Sequence, residues 1–361
     1  MIIQSIKLEN FRNYNELDIC FSDGTNIIYG DNAQGKTNIL EAVYLCGTTK
    51  SHKGSKDREI IKFHNDESHI RTIISKNSIE YKIDMHLRKN KTKGIAINGI
   101  PIKKASDLFG IVNFVFFSPE DLNIIKNGPS ERRRFIDLEL CQLDKVYLYN
   151  LTNYNKIINQ RNKLLRDLPY QSELKDTLSV WNLQLVNYGV KIIERRRLFI
   201  EQINQIIFKI HSNLTGGSEE LFIKYEQNVS AEFFLNKLEQ NISKDIKLKT
   251  TTVGPHRDDL NFLVKDIDIR KYGSQGQQRT AALSLKLSEI ELVKNLIDDK
   301  PILLLDDVLS ELDSNRQNYL LNSIYDIQTL ITCTGLEEFI NNRFSIDKIY
   351  KVNDGTVIIE N

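Results

Sequence analysis

Cysteine is scarce: Cys20, Cys46, Cys141 and Cys333 are the four in 361 residues, far apart, with no CxxC pair and no histidine at ligand spacing. That excludes a zinc ribbon and a disulfide framework, and fits reduced thiols used as small core residues. An excess of one charge sign is also missing. The 49 Lys and Arg residues face 48 Asp and Glu, so any nucleic-acid site must be a local patch rather than a property of the whole molecule. No uninterrupted apolar run of about 18 residues occurs, which argues against a membrane-spanning helix. The opening Met1-Ile2-Ile3-Gln4-Ser5-Ile6-Lys7-Leu8-Glu9-Asn10 carries charge where a signal peptide needs an apolar stretch. The expectation is a soluble cytoplasmic protein with no membrane partner. What is present is length enough for two compact units held by ordinary apolar burial.

Periodicity divides the chain. Ile6 and Leu8, then Leu17, Ile19 and Phe21, alternate with polar residues as in strands, and Asn26-Ile27-Ile28-Tyr29 runs straight into Gly30. After Thr37 the apolar spacing of Ile39, Leu40, Val43, Tyr44 and Leu45 is helical. Alternating runs at 70–74, 81–87 and 94–99, the last ending in the turn signal Asn98-Gly99, predict an antiparallel β region. A buried strand ends near Phe117, and Pro119-Glu120-Asp121 reads as a helix start. Helical spacing then holds from Ser130 to about Leu214, with Leu174, Leu178, Trp181, Leu185 and Tyr188 tracing one stripe. Residues 212–220, with Gly216-Gly217, read as a surface loop, and strand signals return from Val253 onward. The predicted fold is α/β: one lobe of 1–120 plus 250–361 with an antiparallel β region near its start, and a mainly helical lobe of 121–249, with no long coiled coil.

Three motifs carry chemistry. Gly30-Asp31-Asn32-Ala33-Gln34-Gly35-Lys36-Thr37 matches GxxxxGKT, with the required strand before and helix after it. In such a loop backbone N–H groups and a helix N-terminus cradle phosphates, the Lys reaches the β/γ-phosphates and the Thr ligates Mg²⁺. Pro301-Ile302-Leu303-Leu304-Leu305-Asp306-Asp307 is a buried-strand run ending in two acids. Asp306 is expected to hold Mg²⁺ and Asp307 to position or activate the attacking water. Tyr272-Gly273-Ser274-Gln275-Gly276-Gln277-Gln278-Arg279, residues 272–279, opens a second helix whose N-terminus suits an anion. A single bound ATP cannot easily serve both helix starts within one subunit.

Together, the P-loop, the Ser-x-Gly-Gln signature of Ser274, Gln275, Gly276 and Gln277, the acid pair Asp306-Asp307 and Ser310-Glu311-Leu312-Asp313 resemble the ABC-type ATPase heads. Within these the chain resembles the RecF family, related to the SMC heads. The matching segments also include Leu8-Glu9-Asn10-Phe11-Arg12-Asn13-Tyr14, Phe117-Ser118-Pro119-Glu120-Asp121-Leu122, Arg132-Arg133-Arg134-Phe135 and Gly254-Pro255-His256-Arg257-Asp258-Asp259.

The resemblance implies an ATP- and Mg²⁺-dependent homodimer in which Ser274 acts in trans on the partner's γ-phosphate, with Asp307, Lys36 and Ser274 as catalytic residues. It further implies binding to single-stranded, gapped or junction DNA, RecR and RecO as partners, and help in loading recombinase on gaps during recombinational repair, replication restart and the SOS response. Arg132, Arg133, Arg134, Lys103 and Lys104 are the candidate DNA contacts. The resemblance implies a DNA-stimulated ATPase, and two departures from the wider ABC pattern point to weak hydrolysis: Asp307 stands where a Glu is usual, and Ile331-Thr332-Cys333-Thr334-Gly335 has Thr in place of the switch His.

Rival readings are an SMC-type structural ATPase, a transporter nucleotide-binding subunit and a non-hydrolysing nucleotide-sensing scaffold. The roughly 240 residues between P-loop and signature hold no sustained heptad array, which disfavours the first. The β-rich start and the missing switch His disfavour the second.

Overall fold

Alternation builds the first sheet of the computed structural model, which describes residues 1–104, 107–297, 299–336 and 345–360. Strands β1 (Ile2–Phe11) and β2 (Tyr14–Cys20) form a hairpin, and β3 (Thr25–Tyr29) leaves it for a second sheet. Helix α1 (Lys36–Thr48) and the short α2 (Asp57–Ile60) follow, then β4 (Glu67–Lys76), β5 (Ile79–Arg88), β6 (Gly94–Ile97), β7 (Ile100–Pro101) and β8 (Phe114–Phe117). The antiparallel sheet runs β2-β1-β4-β5-β6-β7. Asn98 and Gly99, at φ 52° and 79°, make the tight turn between β6 and β7. The inner face buries Ile6, Leu8, Ile70, Ile83 and Met85, while Glu67, His69, Arg71, Asp84 and His86 face outward. Among the cysteines only Cys20, at the end of β2, is exposed.

Residues 122–288 form a separate compact unit. It contains α3 (Leu122–Lys126), α4 (Pro129–Leu143), α5 (Lys145–Asp167), α6 (Leu178–Leu214), β9 (Leu221–Glu226), α7 (Phe234–Gln240), α8 (Ile242–Leu248), β10 (Asp259–Val264), β11 (Ile267–Asp268), α9 (Ile269–Tyr272) and most of α10 (Gln275–Ile297). Of the stripe read along α6, Leu178 and Leu185 are buried, but Trp181 and Tyr188 are half-exposed, and the buried face runs on through Asn182, Gly189, Ile192 and Arg196. Polar Asn182 belongs inside because its Oδ1 accepts from Arg161 Nε, 2.9 Å away. Gly189 belongs there because a Cβ would lie 2.4 Å from the Phe234 ring.

The lobe boundary expected at 249/250 falls instead at Ser288. Strand β10 pairs antiparallel with β9, from Asp259↔Glu226 to Val264↔Leu221, which ties the segment after 250 to the helical unit. The strand β9 itself was absent from the sequence reading.

The 254–259 segment is a buried polar hub. Asp258 accepts from Arg196 Nη1 (3.1 Å), the Asn228 amide (2.8 Å) and the Tyr225 hydroxyl. His256 Nε2 lies 3.0 Å from the Thr251 carbonyl, which can only accept, so Nδ1 accepts from the Tyr154 hydroxyl at 2.7 Å. Burial pushes the His256 imidazole down to about 4. Arg132, read as a DNA contact, is 1% exposed. Its guanidinium forks onto Asp259 at 2.6 and 3.1 Å and donates to the carbonyls of Ile124 and Asn127. A cation so enclosed is structural, and the DNA assignment for it is corrected. Arg196, in the basic run Arg195-Arg196-Arg197 on α6, is likewise buried.

Beyond α10 the chain completes the first unit with β12 (Ile302–Asp306), α11 (Ser314–Ser323), β13 (Thr329–Cys333), β14 (Lys348–Asn353) and β15 (Thr356–Glu360). The second sheet runs β15-β14-β3-β13-β12-β8, parallel apart from β15. Helix α1 is packed between the two sheets, so nearly all of it is buried. Gly47 permits the approach, since a Cβ there would meet the Phe114 ring at 2.2 Å. Among the described residues no helix is long and apolar enough to cross a membrane.

Candidate nucleotide site

The site grows from the C-terminal ends of three adjacent parallel strands, β3, β13 and β12, where open α/β sheets gather ligands. From β3 the chain enters the loop Gly30–Gly35 and then α1. Gly30, Ala33 and Gly35 take φ of 151°, 64° and 117°, and a Cβ on Gly30 would strike the Val352 carbonyl at 2.3 Å. Lys36, 4% exposed, curls back to donate to the carbonyls of Gly30 (2.6 Å) and Asp31 (3.0 Å). Its ammonium thus lies over the loop that phosphates would fill.

Asp306 ends β12 beside Thr332 of β13, as their strand register requires. Its Oδ1 accepts from Thr37 Oγ1 (2.7 Å) and Thr332 Oγ1 (2.8 Å). Hard oxygens of Thr37 and Asp306 held this close match the donor set Mg²⁺ takes in phosphate sites, so the residues present fit the ion. Asp307 follows at φ 51°, a conformation uncommon outside glycine. Its amide donates to both the carbonyl (3.2 Å) and hydroxyl (3.0 Å) of Thr332. Burial raises the Asp307 carboxyl above its ordinary range; Lys36 opposes the rise and Asp306 adds to it. A cleft of about 130 Å³ opens beside it, lined by Asp307, Ser310, Thr332 and Thr334.

Sequence reasoning singled out the 331–335 segment for a Thr in place of the switch His and gave Thr332 no role of its own. The structure makes it the strut between the two acids, a role visible only once β12 and β13 are neighbours. The segment before β2 was also noted without a role. Asn13 Nδ2 donates to the Gln34 carbonyl (2.8 Å) and Tyr14 to that of Gly35 (3.1 Å), bracing the loop from outside. Arg12 forks onto buried Glu41 at 2.8 Å from both Nε and Nη2. Burial alone would raise the Glu41 carboxyl, but hydrogen bonds from Arg12 and Ser51 outweigh it and hold it low.

In the other unit, Ser274 and Gln277 cap α10 reciprocally. The Ser274 amide donates to Gln277 Oε1 (2.9 Å) and the Gln277 amide to Ser274 Oγ (3.2 Å), a capping box with Ser274, Gln275 and Gly276 exposed. Of the remaining basic candidates, Arg133 is half-buried and donates to the Asp258 carbonyl at 2.7 Å, while Arg134, Lys103 and Lys104 are exposed.

A phosphate-type loop after β3, paired acids after β12 and a capped, exposed Ser-x-Gly-Gln helix start make up an ABC-type ATPase head. The model of the RecF/RecN/SMC N-terminal domain matches residues 2–357. The chain is 67% identical over 357 residues to the DNA replication and repair protein RecF of Agathobacter rectalis, covering 99% of each. It is 66% identical over 363 residues to that of Lachnospira eligens, covering 100% of each. The solved recombination mediator RecF–ATP complex of the RecFOR pathway superposes at TM-score 0.91 and 37% identity over 100% of this chain and 98% of that one. An SMC head bound to the ScpA winged helix gives TM-score 0.58 at 16% identity, a likeness of fold, over 100% of this chain and 97% of that one. The chain belongs to the RecF/RecN/SMC N-terminal domain family and, within it, to the RecF proteins.

Proposed function

We propose that this chain binds ATP with Mg²⁺ on Gly30–Thr37, that ATP drives its homodimerisation on DNA, and that hydrolysis releases the dimer. The observation that carries the reading is the convergence of Lys36, Thr37, Asp306, Thr332 and Asp307 at the ends of three neighbouring parallel strands. The loop amides and Lys36 hold the phosphates. Thr37 and Asp306 would hold Mg²⁺, which would supply charge neutralisation on the phosphate oxygens. Asp307 orients the attacking water, its raised carboxyl affinity for protons suiting a group that must accept one. Ser274 closes the site from the partner copy. The relatives' name and the ATP-bound neighbour of the RecFOR pathway support a role in recombinational repair and replication. To that role the proposal adds RecO and RecR as partners, gapped or single-stranded DNA as the platform for loading recombinase, and a contribution to the SOS response.

Lys36→Met and Asp307→Asn test the core of the reading as a pair. Equilibrium ATP binding should fail in Lys36→Met and persist in Asp307→Asn, while single-turnover hydrolysis, with and without DNA, should slow roughly 10²-fold or more in Asp307→Asn. Unaltered ATP affinity in Lys36→Met would sink the loop assignment. Equal, measurable turnover in the parent and Asp307→Asn would make Asp307 structural, whereas no parent turnover with or without DNA would favour a non-hydrolysing nucleotide sensor.

A further inference from the structure

We propose that Glu67, His69 and His86 form a binding site for one borderline transition-metal dication, of the Zn²⁺ class, on the outer face of the antiparallel sheet. Strand geometry assembles it. His69 on β4 stands directly opposite His86 on β5, and Glu67, two residues earlier on β4, shares their face. The imidazoles stack with centroids 4.0 Å apart and planes at 20°, and His86 Nε2 lies 2.7 Å from Glu67 Oε2. One ligand atom from each of the three lies within 4.8 Å of the others. Tetrahedral bonds of about 2.1 Å span edges of roughly 3.4 Å, and an ion lies in the plane of each imidazole it binds, so binding requires the two rings to turn out of their stack, a rotamer change that solvent-facing side chains allow.

Two imidazoles and a carboxylate select zinc-like ions over Mg²⁺, whose preference is for oxygen ligands. A fourth position is open to water or to Glu9, which pairs with His69 across β1 and β4 on the same face. The face is built to hold charge, with Arg71 and Asp84 ion-paired at 2.5 Å beside it. These groups belong to neither the nucleotide loop nor the signature, so the ion would clamp β4 to β5 at a place the ATP chemistry does not use.

The test is a Zn²⁺ titration of chelator-stripped full-length protein against a chromophoric chelator, in excess Mg²⁺ to occupy oxygen sites. One equivalent at micromolar Kd is expected for the parent, weakened more than about tenfold in His69→Ala, His86→Ala and Glu67→Gln. All three positions are solvent-facing, and circular dichroism of the metal-free variants should match the parent. Co²⁺ substitution should give visible bands without thiolate charge transfer. No saturable binding, binding unchanged in the histidine variants, or a thiolate band pointing to Cys20 would each overturn the site and leave a simple His86–Glu67 hydrogen bond.

Discussion

Thr332 couples the two acids of the site: one hydroxyl donates to Asp306 and accepts from the Asp307 amide. Thr332→Val keeps the shape and deletes both bonds. Each partner keeps one bond, Asp306 Oδ1 from Thr37 and the Asp307 amide to the Thr332 carbonyl, so the loss should be about 1 kcal/mol of stability, and turnover should drop with Asp307 held by one bond in place of two. Urea unfolding alongside phosphate release checks both; a variant with parental turnover would show that Asp307 is positioned without the strut. Arg132 makes the opposite kind of prediction. Arg132→Ala leaves half-buried Asp259 to Arg270, 3.5 Å away, and takes a donor from the Ile124 and Asn127 carbonyls, so it should cost about 2 to 3 kcal/mol. Any fall in DNA affinity should then track the unfolded fraction. A fully stable Arg132→Ala protein with weakened DNA binding would restore the surface reading of that residue.

At the scale of elements, the 254–259 segment clasps α4, α5, α6 and β9 through polar bonds, and His256 gives it a pH dependence. Its folded-state value of about 4 lies below the ordinary 6.5, so its contribution is fully present above pH 6.5 and lost as pH falls toward 4. The unfolded chain takes up a proton that the native imidazole refuses, an effect of about 3 kcal/mol at most. Unfolding midpoints of the parent should therefore decline more steeply between pH 7 and 4.5 than those of His256→Gln; parallel slopes would refute it. The loop at 30–37, the acids at 306–307 and the helix start at 274 were legible because each is a local pattern whose neighbours in sequence are its neighbours in space. Arg132, Arg196 and Asn182 were not. Whether a helical arginine faces water or core depends on a partner such as Asp259, 127 residues away, and charge runs conceal that choice. Strand β9 was missed for a similar reason: six residues after a long helix gain their identity only by pairing with β10.

For the whole molecule, the assembly hypothesis turns on Ser274, exposed at the start of α10. Ser274→Arg puts a long side chain where a partner's triphosphate would approach the helix start. Monomer ATP binding should survive, while ATP-driven dimerisation, hydrolysis and stable DNA binding fail together. Light scattering with ATP should report a monomer for the variant and a dimer for the parent, and a variant that still dimerises removes the in-trans role. The exposed thiol at the end of β2 bears on how such assembly is followed. Cys46, Cys141 and Cys333 are enclosed, so a maleimide dye added to the native protein should attach at Cys20 alone. Donor- and acceptor-labelled batches of unaltered sequence, once mixed, then become a fluorescence reporter of subunit encounter in real time.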